Sequence, residues 1–136
     1  MTEENKILLA KDLFGRALSG VKVNYKGNVY TLGYNMYLKD GDVAFESYPM
    51  MYFLEGVEEV KPYLRPMSSM TEEEKREYGK FCELDTEILE NHPMNGEPFP
   101  ALYNSQDWLN RNMFDYRGLI PMGLAIEAPE DMYNKH

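Results

Sequence analysis

Two arginines are the residues of this chain best placed to do chemistry. Arg65 lies in Lys61-Pro62-Tyr63-Leu64-Arg65-Pro66, and Arg117 lies in Phe114-Asp115-Tyr116-Arg117-Gly118-Leu119-Ile120. The two prolines restrict the backbone around Arg65 and so hold a planar, multi-donor group in a fixed direction. Two readings stand side by side. Arg65, Arg117, Tyr63 and Tyr116 can converge on the carboxylate or phosphate of a ligand. Alternatively, each arginine closes an internal ion pair, with Asp115 or a nearby glutamate as its partner. A guanidinium is always charged and is costly to bury unpaired, and the ion-pair reading is the one the sequence favours.

A second candidate surface is Tyr48-Pro49-Met50-Met51-Tyr52-Phe53-Leu54, unusually apolar for a connecting segment. Tyr48, Met50, Met51, Tyr52 and Phe53 are of the adaptable types enriched at interfaces. The same residues can equally close the open end of a small barrel. The other reactive groups read as structural. His92 precedes a proline in a loop and has no visible orienting partner. Cys82 falls on the apolar stripe of a helix among acidic neighbours, as a small core residue does. Asp40-Gly41-Asp42 fits a hairpin turn better than a calcium loop, which needs a distal glutamate that Glu46 does not match. Glu72-Glu73-Glu74 serve the start of a helix. No phosphate loop, nucleophile elbow, paired-histidine zinc motif or Cys-x-x-Cys is present. The sequence therefore assigns no catalytic residue, metal ligand or cofactor.

The elements that must carry these residues alternate in period. Residues 3–18 repeat as a helix, with Thr2 as N-cap, Glu3 and Glu4 at the positive end of the dipole and Gly20 as the stop. Leu9, Leu13 and Ala17, together with Ile7, Ala10 and Phe14, supply its apolar rows. Val21, Val23 and Tyr25 then alternate with polar residues. Lys26-Gly27-Asn28 turns the chain into Val29–Leu32, giving a hairpin. A second hairpin is expected over 35–39 and 43–47. Val57 to Leu64 reads as a further strand, whose Pro62 calls for a sheet edge. Thr71 and Glu74 form a capping box for a helix ending near Asn91, before Pro93. After a proline-rich loop, Ser105 caps a short helix over 106–114 bearing Trp108, Leu109 and Met113. Asp115 caps a last turn through Ile120, and Leu124–Glu127 form a short strand. The tail from Pro129 is expected to fray. The expected fold is thus α+β: an N-terminal helix, a small antiparallel sheet or open barrel of four to five strands, then two to three helices packed on it. The whole is one domain over 1–136, with the helix and sheet in 1–65 and the helical part in 71–136.

Charge narrows the class of partner. The chain of 136 residues carries a formal net charge of −9. Residues 1–40 hold six Lys/Arg and four Asp/Glu, whereas residues 41–136 hold eight and nineteen. Such a balance disfavours wrapping nucleic acid through its phosphates and suits a basic protein surface. No apolar run approaches the length of a membrane span, and the acidic start is not a secretory leader. With one cysteine and no internal disulfide, a cytoplasmic protein is expected.

Two blocks carry a resemblance. Lys61-Pro62-Tyr63-Leu64-Arg65-Pro66-Met67-Ser68-Ser69-Met70-Thr71-Glu72-Glu73-Glu74 is the first. The second runs from Asp107-Trp108-Leu109-Asn110 through Phe114-Asp115-Tyr116-Arg117-Gly118-Leu119-Ile120 to Gly123-Leu124-Ala125-Ile126-Glu127-Ala128-Pro129. Together they resemble a family of short proteins encoded by phages, prophages and mobile elements of gut bacteria. This chain departs from the family at Asn112-Met113, where a His-rich pair is expected, so no histidine role carries over. The resemblance implies a genetic context in a bacterial host and no chemistry. The expected function is that of a non-enzymatic accessory protein binding a host or phage protein, a role compatible with homo-oligomers. The alternative is a binder or sponge for a small nucleotide signal, used against host defence.

Overall fold

Thr2 opens the first helix as its residue type demands. Its extended backbone leads into α1 (Glu3–Arg16), and its hydroxyl accepts from Asn5 N at 3.1 Å. In this computed structural model, residues 2–32, 38–39, 57–91 and 104–133 are described. The last turn of α1 tightens to a 3-10 turn over Ala17–Ser19, and Gly20 stops it in the left-handed region at φ 74°. The helix expected over 3–18 is therefore two residues shorter. The row of Leu9, Leu13 and Ala17 is buried, whereas in the other row Ala10 is buried and Ile7 and Phe14 are exposed.

Strands β1 (Lys22–Tyr25) and β2 (Asn28–Leu32) form the expected hairpin, in the register Tyr25↔Asn28. Its two turn residues, Lys26 at φ 53° and Gly27 at φ 85°, have the positive φ values that match the twist of the strands. Val21, Val23, Tyr25, Tyr30 and Leu32 face the core. A short β3 (Leu38–Lys39) pairs with β2. Val57–Glu59 form a 3-10 turn before β4 (Val60–Leu64), so the strand expected from Val57 begins three residues later. A two-residue β5 (Ile126–Glu127) completes an open five-stranded sheet in the order β3-β2-β1-β4-β5. The β4–β5 pair is parallel, which makes the sheet mixed rather than purely antiparallel.

The expectation that Pro62 marks a sheet edge needs correction, because β4 lies between β1 and β5. Leu64 O accepts from Ala128 N at 2.8 Å, so the backbone of Leu64 faces β5. The backbone of Pro62, two residues earlier, faces the same way, and β5 begins only opposite Tyr63. The missing proline N–H thus falls where no strand among the described residues lies beside it.

Helix α2 (Glu72–Asn91) follows a short 3-10 turn over Met67–Ser69 and packs on α3 (Asn104–Arg111). Helix α3 ends three residues earlier than the expected 106–114. Phe114 N donates to Leu109 O and Met113 N to Asn110 O, the paired bonds of a left-handed helix stop. Met113 holds the left-handed position at φ 62°. Glycine is usual there, and a non-glycine residue costs roughly 1–2 kcal/mol. Here the Met113 side chain is only 2% exposed and belongs to the main core. That core joins α1, the sheet and residues 113–125, and a second cluster gathers Met70, Trp108, Leu109 and Phe114 under Tyr78 and Phe81.

The tail expected to fray from Pro129 is instead anchored. The Tyr133 hydroxyl accepts from Lys22 N at 2.8 Å and donates to Tyr63 O at 2.8 Å, fastening the tail across β1 and β4. Burial pushes its pKa well above the ordinary tyrosine value.

The start of α2 is closed by the expected capping box. Glu74 N donates to Thr71 Oγ at 3.1 Å, and Thr71 N donates to Glu74 Oε1 at 3.0 Å. Replacing Thr71 by Ala should lower stability by about 0.5–2 kcal/mol, read as a lower urea midpoint at unchanged slope.

Candidate functional site

Arg65 immediately follows β4, and its backbone is fully committed. Its N–H donates to Met113 O at 2.7 Å, and its carbonyl accepts from Asp115 N at 2.8 Å. These bonds tie the end of the strand to the chain leaving α3. The guanidinium makes a two-pronged pair with Glu74, Nη1 to Oε2 at 2.8 Å and Nη2 to Oε1 at 2.7 Å. It also lies 4.1 Å from the centre of the Phe114 ring. The Arg65 hydrogen bonds, helped by those from Thr71 and opposed by partial burial, lower the Glu74 pKa to about 2.

Arg117 pairs with Asp12 of α1, Nη1 to Oδ1 at 2.7 Å, and not with Asp115 as expected. Asp115 is already occupied, because its two carboxylate oxygens accept from Leu119 N at 2.8 Å and Ile120 N at 2.9 Å. It caps the following turn, the role its sequence position suggested. Sequence reasoning missed the centre of this arrangement. Asp12 and Arg16 are four residues apart on α1, and both are 0% exposed. Arg16 Nε and Nη2 reach the Asp12 oxygens at 2.9 and 3.0 Å, while Nη1 and Nη2 donate to Leu109 O at 3.4 Å and Phe114 O at 2.6 Å. The Tyr116 ring lies beside both guanidiniums, 5.3 Å from Arg16 and 4.7 Å from Arg117. The i,i+4 spacing of Asp12 and Arg16 was legible. Their burial was not, since such pairs are ordinarily on the surface.

The four candidate residues therefore divide. Arg117 and Tyr116 come together over Asp12, and the Tyr116 hydroxyl donates to Asn110 Oδ1 while accepting from Gln106 Nε2. Arg65 stands apart on Glu74. Tyr63 accepts from Asn24 Nδ2 at 3.1 Å. Tyr48, Met50, Met51, Tyr52, Phe53, His92 and the Asp40–Asp42 turn lie outside the described residues. A second unforeseen group is Asp85, on the inward stripe of α2. It accepts from Asn104 N, Asn104 Nδ2, Ser105 N and Ser105 Oγ at 2.6–3.1 Å, and so caps α3 from a neighbouring helix. Burial alone would raise its pKa, but these bonds outweigh it and hold the carboxyl below the ordinary aspartate value. Cys82 is half-buried, not a full core residue. Burial, then the Cys82 thiol beside it, raises the Tyr78 pKa.

Beyond the carboxyl ends of the parallel β4 and β5 lies a cleft of about 820 Å³. The Arg65–Glu74 pair lines it, with Ser68 and Thr71 from the approach to α2 and Arg111 from the end of α3. Glu127, Glu130 and Tyr133 line it from the tail. Among the described residues, no group of three or more His, Cys, Asp or Glu is placed to hold a metal ion. No described helix is long and apolar enough to cross a membrane.

Two measurements check this account. Asp12→Asn leaves Arg16 buried without its counter-charge and should cost about 3–5 kcal/mol, whereas Arg117→Met removes the more exposed guanidinium and should cost less, roughly 1–2 kcal/mol. Urea unfolding followed through Trp108 emission would rank them, and the reverse order would contradict the geometry. The second concerns pH. Because the folded Glu74 carboxyl titrates near 2, its pair stabilises fully above the unfolded glutamate pKa of about 4.3 and fades as pH falls from there toward 2. The stability gap between the wild type and Glu74→Gln, of the order of 2 kcal/mol after solvent screening, should close over that window. A gap undiminished at pH 2 would contradict it.

Compared with known proteins, the chain matches no family model, no curated protein and no solved structure at a significant level.

Proposed function

We propose that this protein is a non-enzymatic accessory factor of a phage or mobile element, acting in the bacterial cytosol by binding a host or phage protein in the cleft beyond β4 and β5. The genetic context rests on the resemblance of the 61–74 and 107–129 blocks. The binding mode rests on one observation: a cleft of about 820 Å³ whose walls come from four separate parts of the chain. That volume is within the roughly 300–1,000 Å³ usual for ligand sites. It suits a segment of a partner rather than a whole folded face.

The pairing of the arginines supports a protein partner over a nucleotide signal. A phosphate ligand would have to draw Arg65 from Glu74, or Arg117 from Asp12, and leave a carboxylate uncompensated. Neither exchange is favourable for an anion approaching a chain of net charge −9.

The test is to fill the cleft. Ser68 is exposed and lines it, so Ser68→Trp should block entry without disturbing the core. Native capture from a gut-bacterial lysate, followed by cross-linking, should recover a partner with the wild type, with cross-links at the cleft, and lose it with Ser68→Trp. Equal recovery by both proteins, or no specific partner, would overturn the proposal.

A further inference from the structure

We infer that the segment received by the cleft is basic and extended, with a Lys or Arg side chain held between Glu127 and Glu130. This rests on the cleft reading above and goes further by naming the chemistry of the occupant.

The charges lining the cleft do not cancel. Arg65 and Glu74 neutralise each other in a two-pronged pair. Of the remaining charged groups, Arg111 leans toward Phe81, 5.9 Å from its ring centre. Glu127 and Glu130 are exposed. Neither side chain makes a hydrogen bond or an ion pair among the described residues. Among the described residues lining the cleft, two carboxylates without a partner therefore stand against one cation.

The backbone that carries those carboxylates is held in place. Glu127 ends β5, and Ala128 N is bonded to Leu64 O. Pro129 fixes one backbone angle between the two glutamates. Three residues past Glu130, the half-buried Tyr133 anchors the chain through its hydroxyl to Lys22 N and Tyr63 O. A flexible acidic tail would have to be ordered on binding, whereas this one is ordered beforehand, which lowers the entropic cost of association. Residues 41–136, eight Lys/Arg against nineteen Asp/Glu, add a field that draws cations and speeds encounter. The same field repels a second copy of this chain. The Ser68 hydroxyl, which also lines the cleft, can hydrogen-bond to the backbone of an extended segment.

The test is fluorescence anisotropy with a labelled nonapeptide of alternating Arg and Gly, against a Glu-Gly peptide of equal length and inorganic phosphate as competitors. Wild type should bind the Arg-Gly peptide, and the double variant Glu127→Gln/Glu130→Gln should weaken binding about tenfold or more, as loss of specific ion pairs does. Glu77→Gln/Glu83→Gln makes the same change in charge on the exposed face of α2 and should weaken it less than about threefold, a purely long-range effect. Unchanged melting temperatures would confirm that both variants fold. Equal weakening by the two variants, no binding of the Arg-Gly peptide, or stronger competition by phosphate or the Glu-Gly peptide would overturn the inference. A lysate partner lost with Ser68→Trp but fully retained by Glu127→Gln/Glu130→Gln would overturn the basic segment alone and leave the cleft reading standing.

Discussion

Burying Arg16 is the constraint on which the rest of this structure depends. A guanidinium with no exposed surface must have its charge answered and its N–H groups bonded at once. One carboxylate on the same helix, Asp12, answers the charge. The carbonyls of Leu109 and Phe114 take further N–H groups, and both residues belong to the second apolar cluster. Arg16 therefore cannot be satisfied by α1 alone. It requires the end of α3, and the chain beyond it, to lie against α1. Its helix neighbours Leu9, Leu13 and Ala17 pack into the main core. The arginine is thus the polar joint between two apolar clusters. Apolar contacts are non-directional and would tolerate sliding, whereas this joint has fixed geometry and sets the register between them.

The segment 113–117 shows how closely the two arginine systems share one piece of backbone. Phe114 gives its carbonyl to Arg16 and its ring face to Arg65. Arg65, in turn, binds Met113 O and Asp115 N through its own backbone. Tyr116 lies beside Arg16 and Arg117. The left-handed turn at Met113 makes this possible, because it reverses the chain within one residue and delivers Phe114 to both guanidiniums. The backbone strain at Met113 is local, and the burial that offsets it comes from the main core to which its side chain belongs.

What was legible in the sequence was what local physics decides. The capping box of Thr71 and Glu74, the Lys26-Gly27 turn and the Gly20 stop each depend on residues within a few positions, and each is present. What was not legible depends on contacts distant in the chain. The end of α3 was overrun because Met113 occupies a position that glycine normally announces, and its acceptance there depends on a core that residues 106–114 do not contain. Asp85 reads as one more charge on a charged helix, and only the proximity of α3 turns it into a cap for Asn104 and Ser105. Arg117 was assigned to Asp115 by nearness in sequence, yet its partner is 105 positions away. That Arg65 and Arg117 close internal ion pairs followed without long-range knowledge, since a partly buried guanidinium requires a carboxylate. Which carboxylate it finds is a property of the fold.

The same division explains why the cleft has the character it does. Of its two cations, Arg65 is fixed by Glu74 and by its own backbone bonds, and Arg111 leans toward Phe81; elsewhere the buried Asp12 draws Arg117 inward. Arginine is suited to such joints, because its fork of donors can satisfy several acceptors in fixed directions. Drawing arginines inward to join the clusters leaves the surface of an already acidic chain poorer in cations. Among the described residues, the exposed carboxylates of Glu127 and Glu130, on a strand end and a proline-stiffened tail, make no hydrogen bond or ion pair. The acidity of this part of the surface is in this sense a consequence of how the interior is assembled.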